Sequence, residues 1–149
     1  MRLWSYAVNL IVGDIIRVYP ASSQERYKAM SGSSLILVVV DDDTDIRRAV
    51  GRSLRSHGHK VHLFESGEAY LAEDCKADCA IVDIGLPGVS GLEMEEQLRK
   101  RGRGLPVVFI TAHDDLANRA VRTTGMPVLR KPLDEHDLLD AIALVTGHP

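Results

Sequence analysis

Two cysteines in 149 residues are too few for a disulfide framework. Cys75 and Cys79 form a lone C-x3-C without histidine companions, a poor zinc site, and read as reduced thiols in or beside a strand. Basic charge is not in excess either: 18 Lys and Arg face 21 Asp and Glu, a net charge of −3. Direct nucleic-acid contact is therefore not expected. No stretch suits a bilayer: Leu3–Val18 is apolar but interrupted by Asn9, Gly13, Asp14 and Arg17, and its 16 residues fall short of the roughly 20 a membrane helix needs. The same stretch has too short an apolar run, and no small-residue cleavage site, for a signal peptide. Repeats and low-complexity tracts are missing too. What is present is ordinary: 45% apolar and 26% charged residues, suited to one domain with a core that needs no staples. The expected location is the reducing cytoplasm.

The chain is uneven along its length. Only seven residues are aromatic, and four of them (Trp4, Tyr6, Tyr19, Tyr27) fall in the first 30 positions. Those positions hold four basic and two acidic residues, whereas residues 31–149 hold 14 basic and 19 acidic. Trp4, Val8, Ile11, Ile15 and Val18 would line one face of a helix. Residues 1–34 thus read as an N-terminal extension, either disordered or a docking helix, with Met30 a candidate natural start.

From Leu35 onward, strand and helix patterns alternate. Leu35–Val40 is a continuous β-branched run, as in a strand buried on both faces. Ile46, Ala49, Val50 and Leu54 recur at helical spacing up to Gly58. Lys60–Phe64 reads as a strand, Glu68–Glu73 as a short helix, Ala80–Asp83 as a strand and Leu92–Arg101 as a helix closed by Gly102. Pro106–Ile110, a helix around Asp114–Thr123, the short strand Val128–Arg130 and a helix over Asp134–Val145 complete the pattern, with Asp134 placed to cap the last helix. Five strands alternating with five helices predict an α/β fold with a parallel sheet covered on both sides.

In such a sheet, ligands bind beyond the carboxyl ends of the strands. The first strand runs into Asp41, Asp42 and Asp43, the third ends in Asp83, the fourth in Thr111 and the fifth in Lys131. Carboxylates, a hydroxyl and an ammonium therefore converge on one edge. Paired carboxylates repel by roughly 4 kcal/mol at 4 Å with an effective dielectric near 20. A hard divalent cation relieves that repulsion, and open positions for water and phosphate suit Mg²⁺. Metal, carboxylate and lysine together are equipment for phosphoryl transfer, and an aspartate can itself become an aspartyl phosphate.

The segments Val40-Asp-Asp-Asp43, Ile81-Val-Asp-Ile-Gly-Leu-Pro-Gly-Val-Ser-Gly91, Val108-Phe-Ile-Thr-Ala-His113 and Leu129-Arg-Lys-Pro-Leu133 resemble, in order, those of bacterial response-regulator receiver domains, CheY-like proteins of the FixJ-like group. The resemblance covers residues 35–146. It implies a (βα)5 three-layer sandwich whose five-stranded sheet has the flavodoxin-like order 2-1-3-4-5. It further implies that Asp83 is the phosphoacceptor, that Asp41, Asp42, Asp83 and the backbone carbonyl of Gly85 hold Mg²⁺, that Thr111 bonds the phosphoryl group, and that Lys131 pairs with its oxygens. The Lys131–Pro132 bond is expected to be cis. Asp43 is the ambiguous member of its run, an accessory acid near the helix start. Pro87 and Gly88 suit a tight turn after the acceptor.

Two features depart from that pattern. Val128 occupies the position, three before the lysine, where such receivers usually carry an aromatic residue that swings inward on phosphorylation. The Thr111–Lys131 stretch is also shorter than usual, with Gly125-Met-Pro127 closing the fourth helix abruptly. With only a few residues after 146, no output domain is expected. The resulting expectation is a single-domain response regulator, not a separate-substrate enzyme, phosphorylated by a sensor histidine kinase or histidine phosphotransferase and signalling through an unknown downstream protein or by phosphorelay. A second copy of the chain is a further candidate partner. The alternatives are a small Mg²⁺-dependent phosphatase with an aspartyl-phosphate intermediate, which would need a substrate cap, and a degenerate receiver serving only as an interaction module.

Overall fold

The computed structural model describes residues 34–73 and 75–147 with their side chains, and Tyr6–Asn9 and Arg17–Pro20 as backbone. Five parallel strands form the sheet: β1 (Ile36–Val40), β2 (Lys60–Phe64), β3 (Cys79–Asp83), β4 (Val107–Thr111) and β5 (Val128–Arg130). Five helices alternate with them: α1 (Thr44–Ser56), α2 (Gly67–Ala72), α3 (Gly91–Lys100), α4 (Asp114–Thr124) and α5 (Glu135–Thr146). The strand order is β2-β1-β3-β4-β5, the order 2-1-3-4-5 expected of the family.

Alternating side chains send each strand's residues to two faces, and two apolar cores result. Val38, Val40, Ala80, Val82 and Phe109 face a core completed by Tyr70 of α2, Met94 and Leu98 of α3, and Ala117 and Ala120 of α4. Leu37, Val39, Ile81, Val108 and Ile110 face the other, completed by Val50 and Leu54 of α1 and Leu138 and Ile142 of α5. The sheet is therefore the middle of three layers. All five residues of β3 are buried, as are all five of β4.

Helix starts are set by side-chain caps that satisfy otherwise unpaired amides. Asp43, Ser66, Ser90 and Asp134 accept from the first-turn amides of α1, α2, α3 and α5. Gly125 ends α4 in the left-handed region at φ 67°, which accounts for the abrupt stop read from the sequence.

In the N-terminal extension, Tyr6–Asn9 pairs antiparallel with Arg17–Pro20. Val8 and Val18, allotted to one face of a docking helix, are thus in strands instead. The segments Tyr-Ala-Val-Asn and Arg-Val-Tyr-Pro carry aromatic and β-branched residues that favour extended backbone. Trp4, Ile11, Ile15 and Met30 lie outside the described residues.

Candidate functional site

The parallel ladder carries the chemistry to one edge. Asp41 follows the last residue of β1, and its N–H donates to the Phe64 carbonyl of β2 at 3.2 Å. Asp83 and Thr111 are the last residues of β3 and β4. The Lys131 N–H donates to the Thr111 carbonyl at 2.8 Å, extending the ladder one step past β5. The Lys131–Pro132 bond is cis, as expected.

Lys131 Nζ lies 2.9 Å from Asp83 Oδ2 and 2.9 Å from Asp41 Oδ2. The Asp83 contact is a hydrogen bond. The Asp41 contact is an ion pair without hydrogen-bond alignment, so Asp41 Oδ2 is a buried oxygen with no hydrogen-bond partner. The other Asp41 oxygen accepts the Asp43 N–H at 2.9 Å, and the other Asp83 oxygen accepts the Gly85 N–H at 2.9 Å.

Burial governs the electrostatics. Asp41 is fully buried, and desolvation raises its pKa, with repulsion from Asp83 adding to the effect and Lys131 and the Asp43 amide opposing it. Burial alone would lower the Lys131 pKa, but its close contacts with the Asp41 and Asp83 carboxylates and their charges outweigh burial and raise it. The lysine is thereby held as an ammonium.

Oxygens of Asp41, Asp42 and Asp83 lie within 4.8 Å of one another, two of these residues buried and Asp42 exposed. One ammonium among three carboxylates leaves an excess of negative charge. That excess, the Asp41 oxygen that no hydrogen bond engages and an all-oxygen donor set fit a hard divalent cation. Thr111 is fully buried but is not bonded to these acids; its hydroxyl oxygen accepts the His113 N–H at 3.1 Å. Asp43 caps α1, accepting from Asp45 N–H at 2.9 Å and Ile46 N–H at 3.1 Å, which settles its ambiguous place in the acidic run. Val128 is fully buried beside Phe109 in the first core.

Two residues at this edge escaped the sequence reading. Arg47 Nη1 donates to the Asp41 carbonyl at 2.7 Å, and Glu68 Oε1 accepts the Val89 N–H at 2.6 Å. Arg47 carries the weak signal of falling in the first turn after the acidic run; Glu68 carries none, because its partner is 21 positions away.

Residues 37–143 match the family described as the response regulator receiver domain. The chain belongs to that family. Over 131 residues it is 31% identical to the response regulator protein TmoT of Ectopseudomonas mendocina, covering 85% of this chain and 59% of TmoT. It is 33% identical to the transcriptional regulatory protein FixJ of Azorhizobium caulinodans, covering 76% of this chain and 56% of FixJ. Among solved structures, a response regulator receiver protein from Burkholderia phymatum superposes with a TM-score of 0.65 at 36% identity, covering 76% of this chain and 96% of that one. The receiver thus spans somewhat over half the length of these two curated relatives. Receiver domains are modules of two-component signalling that interact with histidine kinases, and they generally bind Mg²⁺. Among the described residues of this receiver, no helix is long and apolar enough to cross a membrane.

Proposed function

We propose that this receiver accepts a phosphoryl group on Asp83 from a sensor histidine kinase or a histidine phosphotransferase in the cytoplasm. The carrying observation is Lys131 Nζ, 2.9 Å from a carboxylate oxygen of both Asp41 and Asp83. A carboxylate there has a fixed cation beside the place where phosphoryl oxygens arrive. An Asp83 oxygen attacks phosphorus, the P–N bond to the donor imidazole breaks, and its electron pair departs with the ring nitrogen. Lys131 then pairs with the phosphoryl oxygens. The Thr111 hydroxyl turns from the His113 amide toward the same strongly charged acceptor. Asp41, Asp42, Asp83 and the Gly85 carbonyl would hold Mg²⁺, which supplies charge neutralisation for the transferring group. The chain itself is modified, so turnover of a separate substrate is not part of this reading.

The signal leaves by docking to another protein or by phosphorelay. Val128 is small, stiff at χ1 and fully buried, and cannot make the large inward swing of an aromatic side chain. Output therefore runs through smaller shifts of the loops after β3 and β4. The transcriptional role in FixJ's name belongs to FixJ; the acidic balance of residues 31–149 favours a protein partner over nucleic acid here.

Incubation with acetyl phosphate and Mg²⁺ should add the mass of one phosphoryl group, and Asp83→Asn should abolish the gain. A phosphoryl group retained on another residue in that variant would overturn the assignment.

A further inference from the structure

We infer that Glu68 is a positioning residue for the phosphoacceptor, holding from α2 the loop that follows Asp83. The inference rests on the assignment of Asp83 above. The loop between β3 and α3 is tied near its start by the Gly85 N–H to Asp83 Oδ1 bond, 2.9 Å, and at its end by the Gly91 N–H to Ile84 carbonyl bond, 3.1 Å. Both bonds are local, joining the loop to its own flanks. Glu68 supplies a tie to a different element: its Oε1 accepts the Val89 N–H at 2.6 Å, the short separation of a charge-assisted bond.

The surrounding backbone is shaped to that contact. Gly88 adopts φ 74°, a left-handed conformation that side chains disfavour, and a Cβ at that position would collide with Glu68 Oε1. Gly67, beside Glu68, permits the same close approach, since a Cβ there would meet the Val89 carbonyl oxygen at 3.2 Å. A glycine on α2 and a glycine in the loop thus let the two segments approach closely at this bond. The Val89 amide holds the Glu68 carboxyl below its ordinary pKa even though the side chain is exposed.

Glu68 touches neither the acceptor nor an arriving phosphoryl group, so its effect passes through the loop. Released from α2, the loop would sample orientations in which the Gly85 amide no longer orients Asp83 and the Gly85 carbonyl is not held for the cation. The consequence is a weaker site for the cation, with the chemistry intact once that site is filled.

The test compares the full chain with Glu68→Ala and with Glu68→Gln, whose amide oxygen still accepts. In Glu68→Ala, exchange of the Val89 amide hydrogen should quicken about tenfold, and Mg²⁺ affinity by calorimetry should weaken about fivefold. The Mg²⁺ concentration for half-maximal phosphorylation by acetyl phosphate should rise by a similar factor, while the rate at saturating Mg²⁺ stays within about twofold of wild type. Glu68→Gln should recover most of each change. Unchanged Val89 exchange, unchanged Mg²⁺ affinity, a glutamine variant as impaired as alanine, or a fall in the saturating rate would each overturn the inference. Should the wild-type chain take no phosphoryl group, the Asp83 assignment fails, and amide exchange and calorimetry still decide the role of Glu68.

Discussion

At the amino end of the sheet, Asp78 Oδ2 accepts the Ile36 N–H at 2.8 Å, and His59 Nδ1 accepts the Leu35 N–H at 3.1 Å. Each polar side chain there has one backbone partner, and each bond closes the start of β1. At the carboxyl end, Asp41 and Asp83 share one lysine with exposed Asp42 close by, and a buried Asp41 oxygen meets that lysine without a hydrogen bond. Carboxylates crowded on one ammonium repel each other, a cost that a matched pair does not carry. The matched end serves folding, and the excess negative charge of the other end is what a divalent cation would relieve.

The largest break in that contrast comes from Lys131→Met. Removing the ammonium leaves Asp41 and Asp83 facing each other, and stability to urea should fall by about 3 kcal/mol. Adding Asp41→Asn should restore much of it; a loss under about 1 kcal/mol in the single variant would show that the lysine does not hold the acidic end together.

Asp42→Ala acts on the same end without that penalty, because Asp42 is exposed. Mg²⁺ affinity should drop about tenfold, or 1.4 kcal/mol, while the melting temperature holds or rises slightly. Calorimetry showing wild-type affinity would put the cation elsewhere.

At the amino end, Asp78→Ala should cost about 1 kcal/mol in a denaturant titration and leave Mg²⁺ affinity untouched. A change in Mg²⁺ affinity would show that the two ends are coupled.

The smallest effect concerns pH. Burial, with the nearby His57 as a second cause, lowers the His59 pKa below 6.5. The folded state therefore binds its proton less readily than the unfolded chain, so the contribution is full above about pH 6.5 and is lost as pH falls through the folded value. His59→Gln should flatten the stability profile below pH 6.5; an unchanged slope would show that His59 does not contribute to it.

The strands were legible because β-branched runs such as Leu35–Val40 leave few alternatives, and the acid, hydroxyl and lysine positions followed because they sit where those runs stop. The boundaries moved by a residue: Thr111 lies inside β4 and Cys79 opens β3. Long-range polar ties were less legible. A glutamate on a short helix resembles any solvated carboxylate until the fold brings Val89 to it. The extension misled for a related reason: valines spaced for a helical face are also good strand residues, and pairing with a second segment decided between the two.

In mechanical terms, Asp83 is mounted on the central strand of the sheet. β3 is laddered to β1 on one edge and to β4 on the other, so bending it would break bonds on both sides at once. β5 is a three-residue edge strand laddered on one side only. A load applied at Asp83 would therefore be taken up less by its own strand than by the more compliant loops after β3 and β4.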